Sequence, residues 1–241
     1  MKIRGVLFDA GNTLIRVRPG VGNVYAAVAA RHGVTIDGAA LDPLFQAEFR
    51  RRRSDFVRDV SRPHSAARER AWWGGLVEAV FRAAGAWEAF EGVFEEFFRE
   101  LYETFERPEV WEVFPDVEPC LDTLAAGGLR LGVVSNWDSR LHAVLGGLGL
   151  ARRFDCVLTS AEFGAEKPDP SIFREAALRL GLRPEEVVHV GDLVREDLEG
   201  AVSAGMDALL LDRTCGRLPS GPARVCDLRE VPARIERPAK R

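Results

Sequence analysis

The second half of the chain alternates between short apolar runs and stretches in which apolar residues recur at helical spacing. The runs predict buried strands at 129–134, 156–158, 187–190, 208–211 and, more weakly, 223–226. The stretches predict helices at 117–126, 139–148, 170–180 and 196–204. This alternation predicts an α/β fold, a parallel sheet with helices on both faces. Another apolar run at 3–8 predicts a first strand of the same sheet, because a lone strand cannot bury its faces.

Between the first strand and this alternation lies a block with helical spacing alone. From residue 21 to residue 105 the apolar positions follow the period of an amphipathic helix, and glycine and proline residues divide the block. We therefore predict about four helices inserted into the α/β fold. Residues 1–16 and 113–241 are predicted to form the core domain and residues 17–112 an all-helical domain. The aromatic pairs at 72–73 and 97–98 fit core packing better than a ligand cage.

Polar residues follow the predicted strands at the sheet edge where open parallel sheets bind ligands. After the strands come, in chain order, Asp9, then Ser135 with Asn136, then Lys167 in a loop, then Asp192. Four chain segments thus bring two acids, a hydroxyl and an ammonium towards one edge. Lys167 is the one lysine away from the chain ends in a sequence that otherwise uses arginine, which favours a special role for it.

Charge and hydropathy argue against nucleic acid and membranes as partners of this chain. The formal net charge is −4, so nucleic acid is not expected as a partner, and the basic run 50–53 is predicted to be a solvated helix face. No apolar run reaches the roughly 18–20 residues that span a bilayer, and the N-terminus does not resemble a signal peptide. We therefore expect no membrane partner and a cytoplasmic protein, either a monomer or a homodimer. The cysteines show no CxxC spacing, which argues against a zinc site or a disulfide framework.

Four sequence motifs resemble those of the haloacid dehalogenase-like superfamily of hydrolases. They lie at 8–14, 133–136, 167–170 and 191–197, in matching order and spacing over the chain to about residue 211. The helical insert is similar to the cap of subfamily I. The segment 135–155 looks closest to the group called haloacid dehalogenase-like hydrolase domain-containing protein 3. The resemblance implies a Rossmann-like core with a helical cap, and a Mg²⁺-dependent hydrolase of a small phosphorylated molecule.

The resemblance also implies the catalytic and substrate-binding residues. Asp9 would attack phosphorus as a carboxylate and form an aspartyl-phosphate, which water then cleaves. Ser135 would donate a hydrogen bond to the phosphoryl group, and the ammonium of Lys167 would neutralise its charge. The substrate-binding residues would be Asn12, Thr13 and Asn136.

A magnesium site is implied by the same motifs. Asp9, Asp192 and the backbone carbonyl of Gly11 would hold Mg²⁺, because this ion prefers oxygen ligands. Asp197 would act from one helical turn away, through a water molecule or by orienting the site. The ion would offset the repulsion between the carboxylates and the phosphate.

Gly11 departs from the pattern of the superfamily. Its phosphatases carry an aspartate at this position, which protonates the leaving oxygen and then activates water, and glycine can do neither. Several outcomes stay open: a slow phosphatase, a substrate such as an acyl or aryl phosphate, or rescue by His64 or Glu69 of the helical block. A non-catalytic protein that binds a ligand or regulates a partner is a further alternative.

Two activities of relatives are disfavoured by particular residues. Phosphonatases use a cap lysine, and the helical block contains none. Dehalogenases need no metal and replace the Gly-Asp pair of the fourth motif, which this chain retains as Gly191 and Asp192.

Overall fold

The computed structural model describes residues 2–52, 65–216 and 223–235, so Arg53 of the basic run and His64 lie outside the described residues. The strands are β1 (Gly5–Phe8), β2 (Ile15–Val17), β3 (Trp111–Val113), β4 (Arg130–Ser135), β5 (Cys156–Thr159), β6 (Val187–Gly191), β7 (Asp207–Leu211) and β8 (Arg224–Val225). Six of them form one sheet in the order β5-β4-β1-β6-β7-β8, with parallel neighbours, while β2 and β3 form a small separate sheet. The predicted parallel α/β sheet is confirmed.

Helices connect the strands and fill the inserted block. The α-helices are α1 (Val21–Arg31), α2 (Gly38–Arg52), α3 (Ala66–Ala83), α4 (Phe94–Thr104), α5 (Val117–Ala126), α6 (Arg140–Gly147), α7 (Ser160–Phe163), α8 (Pro170–Arg179), α9 (Gly200–Ser203) and α10 (Val231–Ile235). Four of these, α1 to α4, lie in the block for which about four helices are predicted. Within the described ranges, no helix has the length and apolar content needed to cross a membrane.

β1 lies at the centre of the sheet, between β4 and β6. Every residue of β1 and of β6 is buried, which explains why these strands do not alternate between apolar and polar residues; His189 is the one polar side chain in them. Leu7 of β1 packs in one core with Phe173 of α8 and with Ala201 of α9.

The chain divides into two compact units. The first contains Met1–Arg16, Val113–Trp137 and Leu148–Arg241, and the second contains Val17–Glu112 and Asp138–Gly147. Residues 113–241 are predicted to lie in the core domain, but the structure groups α6 with the helical unit. The reason is side-chain bonding within that unit: Ser139 donates to Glu69 through its amide and its hydroxyl, and the Trp73 indole donates to Asp138.

Aromatic side chains form the core of the helical unit. Tyr25, Phe81 and Phe97 are almost fully buried. The rings of Phe81 and Phe97 meet edge to face with centroids 5.3 Å apart, one of the arrangements that aromatic pairs prefer. The pair at 97–98 belongs to this core and the pair at 72–73 packs against it, as expected for core packing.

The helix predicted at 196–204 has a different form. It begins as a π-helix at Val194–Glu199 and continues as α9. The N–H of Leu193, the residue just before the π segment, donates to the carboxylate of Asp197, so the segment that leads out of β6 is tied to this turn. π-Helical turns occur often at functional sites, and this one carries a predicted site residue.

Candidate active site

Three strand ends bring predicted site residues together. Asp9 directly follows β1, Ser135 is the last residue of β4, and Asp192 directly follows β6. Because β4 and β6 are both parallel neighbours of β1, these three residues reach the same edge of the sheet. Lys167 arrives there from the loop before α8.

Asp9 is held by two donors. Ser135 Oγ donates to Asp9 Oδ1 over 2.9 Å, and Lys167 Nζ donates to the same oxygen over 2.6 Å. The Lys167 side chain is only 2% exposed, so its charge acts on Asp9 with little screening by solvent. Since both donors reach Oδ1, Oδ2 is the oxygen of Asp9 that these two side chains leave for other ligands.

Asp197 binds the same ammonium. Its Oδ1 accepts from Lys167 Nζ over 2.5 Å and lies 2.9 Å from His189 Nε2, and its Oδ2 accepts from the N–H of Leu193 over 3.0 Å. Gly191 permits this packing, because a Cβ at that position would lie 2.2 Å from Asp197 Cγ. Asp197 is therefore a buried counter-ion that orients Lys167.

The Lys167–Asp197 pair is ionised at neutral pH. Burial disfavours the charge of Asp197, but Lys167 and His189 outweigh that effect and hold the pKa of the carboxyl below its usual range. Burial likewise opposes the charge of Lys167, but Asp197 and Asp9 raise the pKa of the ammonium to about 12. Lys167 thus remains a fixed positive charge beside Asp9.

Three carboxylates form an oxygen-rich cluster. Asp9, Asp192 and Asp197 each offer one carboxylate oxygen, and these atoms lie within 4.8 Å of one another. Burial, followed by the charges of Asp9 and Asp197, raises the pKa of Asp192 to about 8. Burial also raises the pKa of Asp9, against the lowering effect of Lys167. These residues fit a divalent cation, because it prefers oxygen ligands and would offset the repulsion among the carboxylates.

Asn136 fixes the loop that carries Lys167. Its Nδ2 donates to the carbonyl of Lys167 over 2.9 Å, and its Oδ1 accepts from the N–H of Lys167 over 2.7 Å. The side-chain amide thus pairs with the backbone on both sides of the lysine. Binding of substrate by Asn136 stays a prediction, whereas its side chain positions Lys167.

The loop after Asp9 contains two further predicted residues. Asn12 has φ = 57°, in the left-handed region that asparagine tolerates better than most residues, and its N–H donates to the carbonyl of Ile15 over 2.8 Å. Thr13 is fully buried, and in the part of the chain that the structure describes its hydroxyl has no hydrogen-bond partner. Contact of either residue with a substrate stays a prediction.

Gly11 has room for a side chain. The nearest atom to a Cβ built there is Cζ3 of Trp137, at 3.6 Å, which is an ordinary van der Waals distance. The backbone φ of Gly11 lies outside the left-handed region. Packing around position 11 therefore does not demand glycine.

Glu69 does not have the environment of a replacement acid. Its side chain is completely buried in the helical unit, where one oxygen accepts from the N–H of Ser139 and the other from its hydroxyl. The carboxylate anchors the segment that leads into α6.

Two residues at this edge were missed by the sequence analysis. His189 is fully buried in β6 beside Asp197, and burial lowers the pKa of its imidazole, so it is neutral. A histidine inside an apolar strand was the available signal for it. Arg213 donates to the backbone carbonyls of Asn12 and Thr13. No local pattern marks Arg213, because its partners lie about 200 residues away in the chain.

Known proteins match this chain over most of its length. A family model described as haloacid dehalogenase-like hydrolase matches residues 3–205. Haloacid dehalogenase-like hydrolase domain-containing protein 3 of Mus musculus is 37% identical over 212 residues, covering 88% of this chain and 82% of that protein. The phosphoserine phosphatase of Thermus thermophilus is 39% identical over 172 residues, covering 67% of this chain and 66% of that protein.

A solved structure shares the fold. The crystal structure of a defluorinating L-2-haloacid dehalogenase aligns with a TM-score of 0.78 at 23% identity, covering 98% of this chain and 96% of that one. At this identity the likeness concerns the fold alone. This α/β architecture places an aspartate directly after β1, in the middle of the parallel sheet. Together with the match over residues 3–205, it shows that the chain belongs to the haloacid dehalogenase-like hydrolase family.

Proposed function

We propose that this chain is a Mg²⁺-dependent phosphatase that acts on a small phosphorylated molecule through an aspartyl-phosphate at Asp9. The observation that carries the proposal is the environment of Asp9: Ser135 and Lys167 bind one carboxylate oxygen, and Asp192 lies in the same carboxylate cluster. Phosphoryl transfer to a carboxylate needs a nucleophile, donors for the phosphoryl oxygens and neutralisation of charge. The phosphoserine phosphatase among the relatives supports phosphate chemistry.

The proposed reaction has two steps. First, a carboxylate oxygen of Asp9 attacks phosphorus, and the bond from phosphorus to the leaving oxygen breaks. The leaving oxygen departs as an anion or takes a proton from solvent. Water then attacks phosphorus, the bond from phosphorus to Asp9 breaks, and phosphate is released while the proton goes to solvent. Ser135 and Lys167 donate to the phosphoryl oxygens in both steps.

The proposed metal ligands are Asp9 Oδ2, Asp192 and the carbonyl of Gly11. The cluster of carboxylate oxygens and the raised pKa of Asp192 support a divalent cation at this place. Asp197 acts through Lys167 instead, since its two oxygens accept from Lys167 and Leu193. When bound, Mg²⁺ supplies Lewis-acid stabilisation of the charge that develops on the phosphoryl group.

Gly11 sets the preferred leaving group. With no acid at this position, an alkyl oxygen leaves slowly, because general acid catalysis is typically worth about 10²–10⁴ in rate. Carboxylate and phenolate oxygens leave as anions without a proton, so acyl and aryl phosphates are the preferred substrates. The helical unit is proposed to select among them as the cap of the family.

Turnover of acetyl phosphate and of p-nitrophenyl phosphate, with Mg²⁺ and with EDTA, tests the proposal. We expect phosphate release that requires Mg²⁺ and is abolished in Asp9→Asn. Asp155→Asn is the matched control, because this carboxylate pairs with Arg130 at the start of β4 rather than with the site. Asp155→Asn is expected to keep the activity of the parent chain.

The outcomes separate the proposal from its alternatives. Unchanged turnover in Asp9→Asn would show that Asp9 is not the nucleophile. Absence of turnover, with Mg²⁺-dependent binding of a phosphorylated ligand retained, would favour a binding protein. Halide release from 2-haloacids without metal would favour a dehalogenase. An aspartyl-phosphate trapped by acid quench and assigned to Asp9 by mass spectrometry would support the phosphatase directly.

A further inference from the structure

Arg213 follows β7 and contacts the loop that carries the nucleophile. Its Nε donates to the carbonyl of Asn12 over 3.0 Å, and its Nη2 donates to the carbonyl of Thr13 over 2.6 Å. A guanidinium has five N–H donors in a fixed planar fork, so two consecutive carbonyls held in this way have little freedom to rotate. Arg213 also lies beyond residues 3–205, the segment that the family model matches.

A second set of contacts fixes the guanidinium itself. Its Nη1 and Nη2 donate to the two oxygens of Asp116 over 3.0 and 3.1 Å, and its Cζ lies 3.6 Å from the ring centroid of Phe114. The Asp116 side chain is 2% exposed and also accepts from the N–H of Leu228. A bidentate pair of this kind, with one face on an aromatic ring, is stiffer than a surface ion pair.

The loop held by Arg213 has an unusual backbone. Asn12 is in the left-handed region, and the amides of Leu14 and Ile15 both donate to the carbonyl of Ala10, over 2.8 and 3.0 Å. This tight turn begins one residue after Asp9. Rotation of the peptides at 12 and 13 would therefore move the backbone beside the nucleophile.

We infer that Arg213 is a positioning residue for the reaction, which sets the geometry of the loop after Asp9 through the carbonyls of Asn12 and Thr13. The inference rests on the proposed function for its effect on rate. Displacement of a reacting group by about 1 Å can cost about 10²-fold in rate. Loss of the guanidinium is therefore expected to lower kcat about 10²-fold and to change KM much less.

The test compares Arg213→Ala with Arg224→Ala. Arg224 lies on the neighbouring strand β8 and also pairs with a buried aspartate. Its Nη2 lies 3.0 Å from Oδ2 of Asp212, so Arg224→Ala is a suitable control. Kinetics with acetyl phosphate, melting temperature and hydrogen–deuterium exchange of peptides over residues 10–16 are measured for both variants. Free guanidinium at millimolar concentration is added to test for rescue.

The inference predicts a specific pattern. Arg213→Ala loses kcat, gains exchange at the amides of Leu14 and Ile15, and recovers activity with guanidinium, while Arg224→Ala does none of these. Arg213→Lys keeps the charge but not the fork, and is expected to recover stability without full activity. It serves as the test variant if Arg213→Ala does not fold.

Three results would overturn the inference. One is normal kcat in Arg213→Ala despite increased exchange over residues 10–16. Another is an equal loss of kcat in Arg224→Ala, which would indicate general destabilisation. The third is hydrogen–deuterium exchange over residues 10–16 that is the same in Arg213→Ala as in the parent chain. This result can be read even if the parent chain has no turnover. A parent chain that hydrolyses no phosphate would refute the proposed function, and the exchange result would still decide whether Arg213 holds the loop.

Discussion

An acid placed at position 11, two residues after the proposed nucleophile, is expected to speed the hydrolysis of phosphates whose leaving oxygen needs a proton. Gly11→Asp introduces a carboxyl group two residues after Asp9. The structure has room for the Cβ of this residue, because a Cβ at position 11 lies 3.6 Å from Cζ3 of Trp137 and the backbone φ is outside the left-handed region. The substitution should therefore add chemistry without displacing the loop.

The size of the effect follows from the chemistry that glycine lacks. General acid catalysis is typically worth about 10²–10⁴ in rate, or about 2.7–5.4 kcal/mol of barrier. We expect a gain of that order for alkyl phosphates and a gain of at most about tenfold for acetyl phosphate, whose leaving group needs no proton. A new carboxylate near Asp9 also repels it, which lowers stability in the absence of metal. Mg²⁺ should recover most of that loss.

The assay is a series of phosphate monoesters with leaving groups of increasing pKa. In the parent chain log kcat/KM should fall steeply along the series, and in Gly11→Asp the slope should flatten. Gly11→Asn is the matched control, since it adds nearly the same volume without an acid and should keep the steep slope. Equal slopes in parent and Gly11→Asp, in chains that bind Mg²⁺ equally, would refute the reasoning from the missing acid.

Two further predictions concern the charges of the site. In the folded, metal-free chain the pKa of Asp192 is about 8, whereas in the unfolded chain this carboxyl loses its proton near pH 4. The folded state therefore binds the proton more tightly, and its stability falls as pH rises from about 4 to about 8. The rise in melting temperature on adding Mg²⁺, measured by calorimetry, should therefore be larger at pH 8 than at pH 6, and equal rises would contradict the metal site. Lys167→Met leaves the buried Asp9 and Asp197 without their cation, and should lower the free energy of unfolding by about 3–5 kcal/mol at pH 8. Urea titration should show a smaller loss at pH 5, where the carboxyls can take up protons; a loss independent of pH would argue against the pair.

The sheet and the convergence of strand ends were predictable because they depend on local pattern. Strands covered on both faces are mostly apolar rather than alternating, and the runs before Asp9, Asn136 and Asp192 are of that kind. Once the strands are parallel, their carboxyl ends share an edge, so polar residues that follow them come together without any knowledge of loop structure. A role for Lys167 at this edge was predictable from its motif and from the scarcity of lysine in the chain.

The contacts that were not predicted depend on residues distant in sequence or on unusual backbone. The π-helix at Val194–Glu199 has no periodicity signal of its own, because its six residues span little more than one turn. The grouping of α6 with the helical unit depends on Glu69 and Trp73, which lie more than 60 residues before their partners. Arg213 reaches across about 200 residues to the loop after Asp9.

The charge balance of the site explains why the loop geometry matters. With every side chain ionised, the three carboxylates contribute −3 and Lys167 contributes +1, which leaves −2. The metal-free chain reduces this charge by keeping a proton on Asp192, and a divalent cation that displaces the proton brings the balance to zero. A neutral site has no net charge with which to attract a phosphate dianion. On the proposed function, phosphate binding then depends on the oriented donors Ser135 and Lys167, and Arg213 matters because it holds the loop that follows the nucleophile.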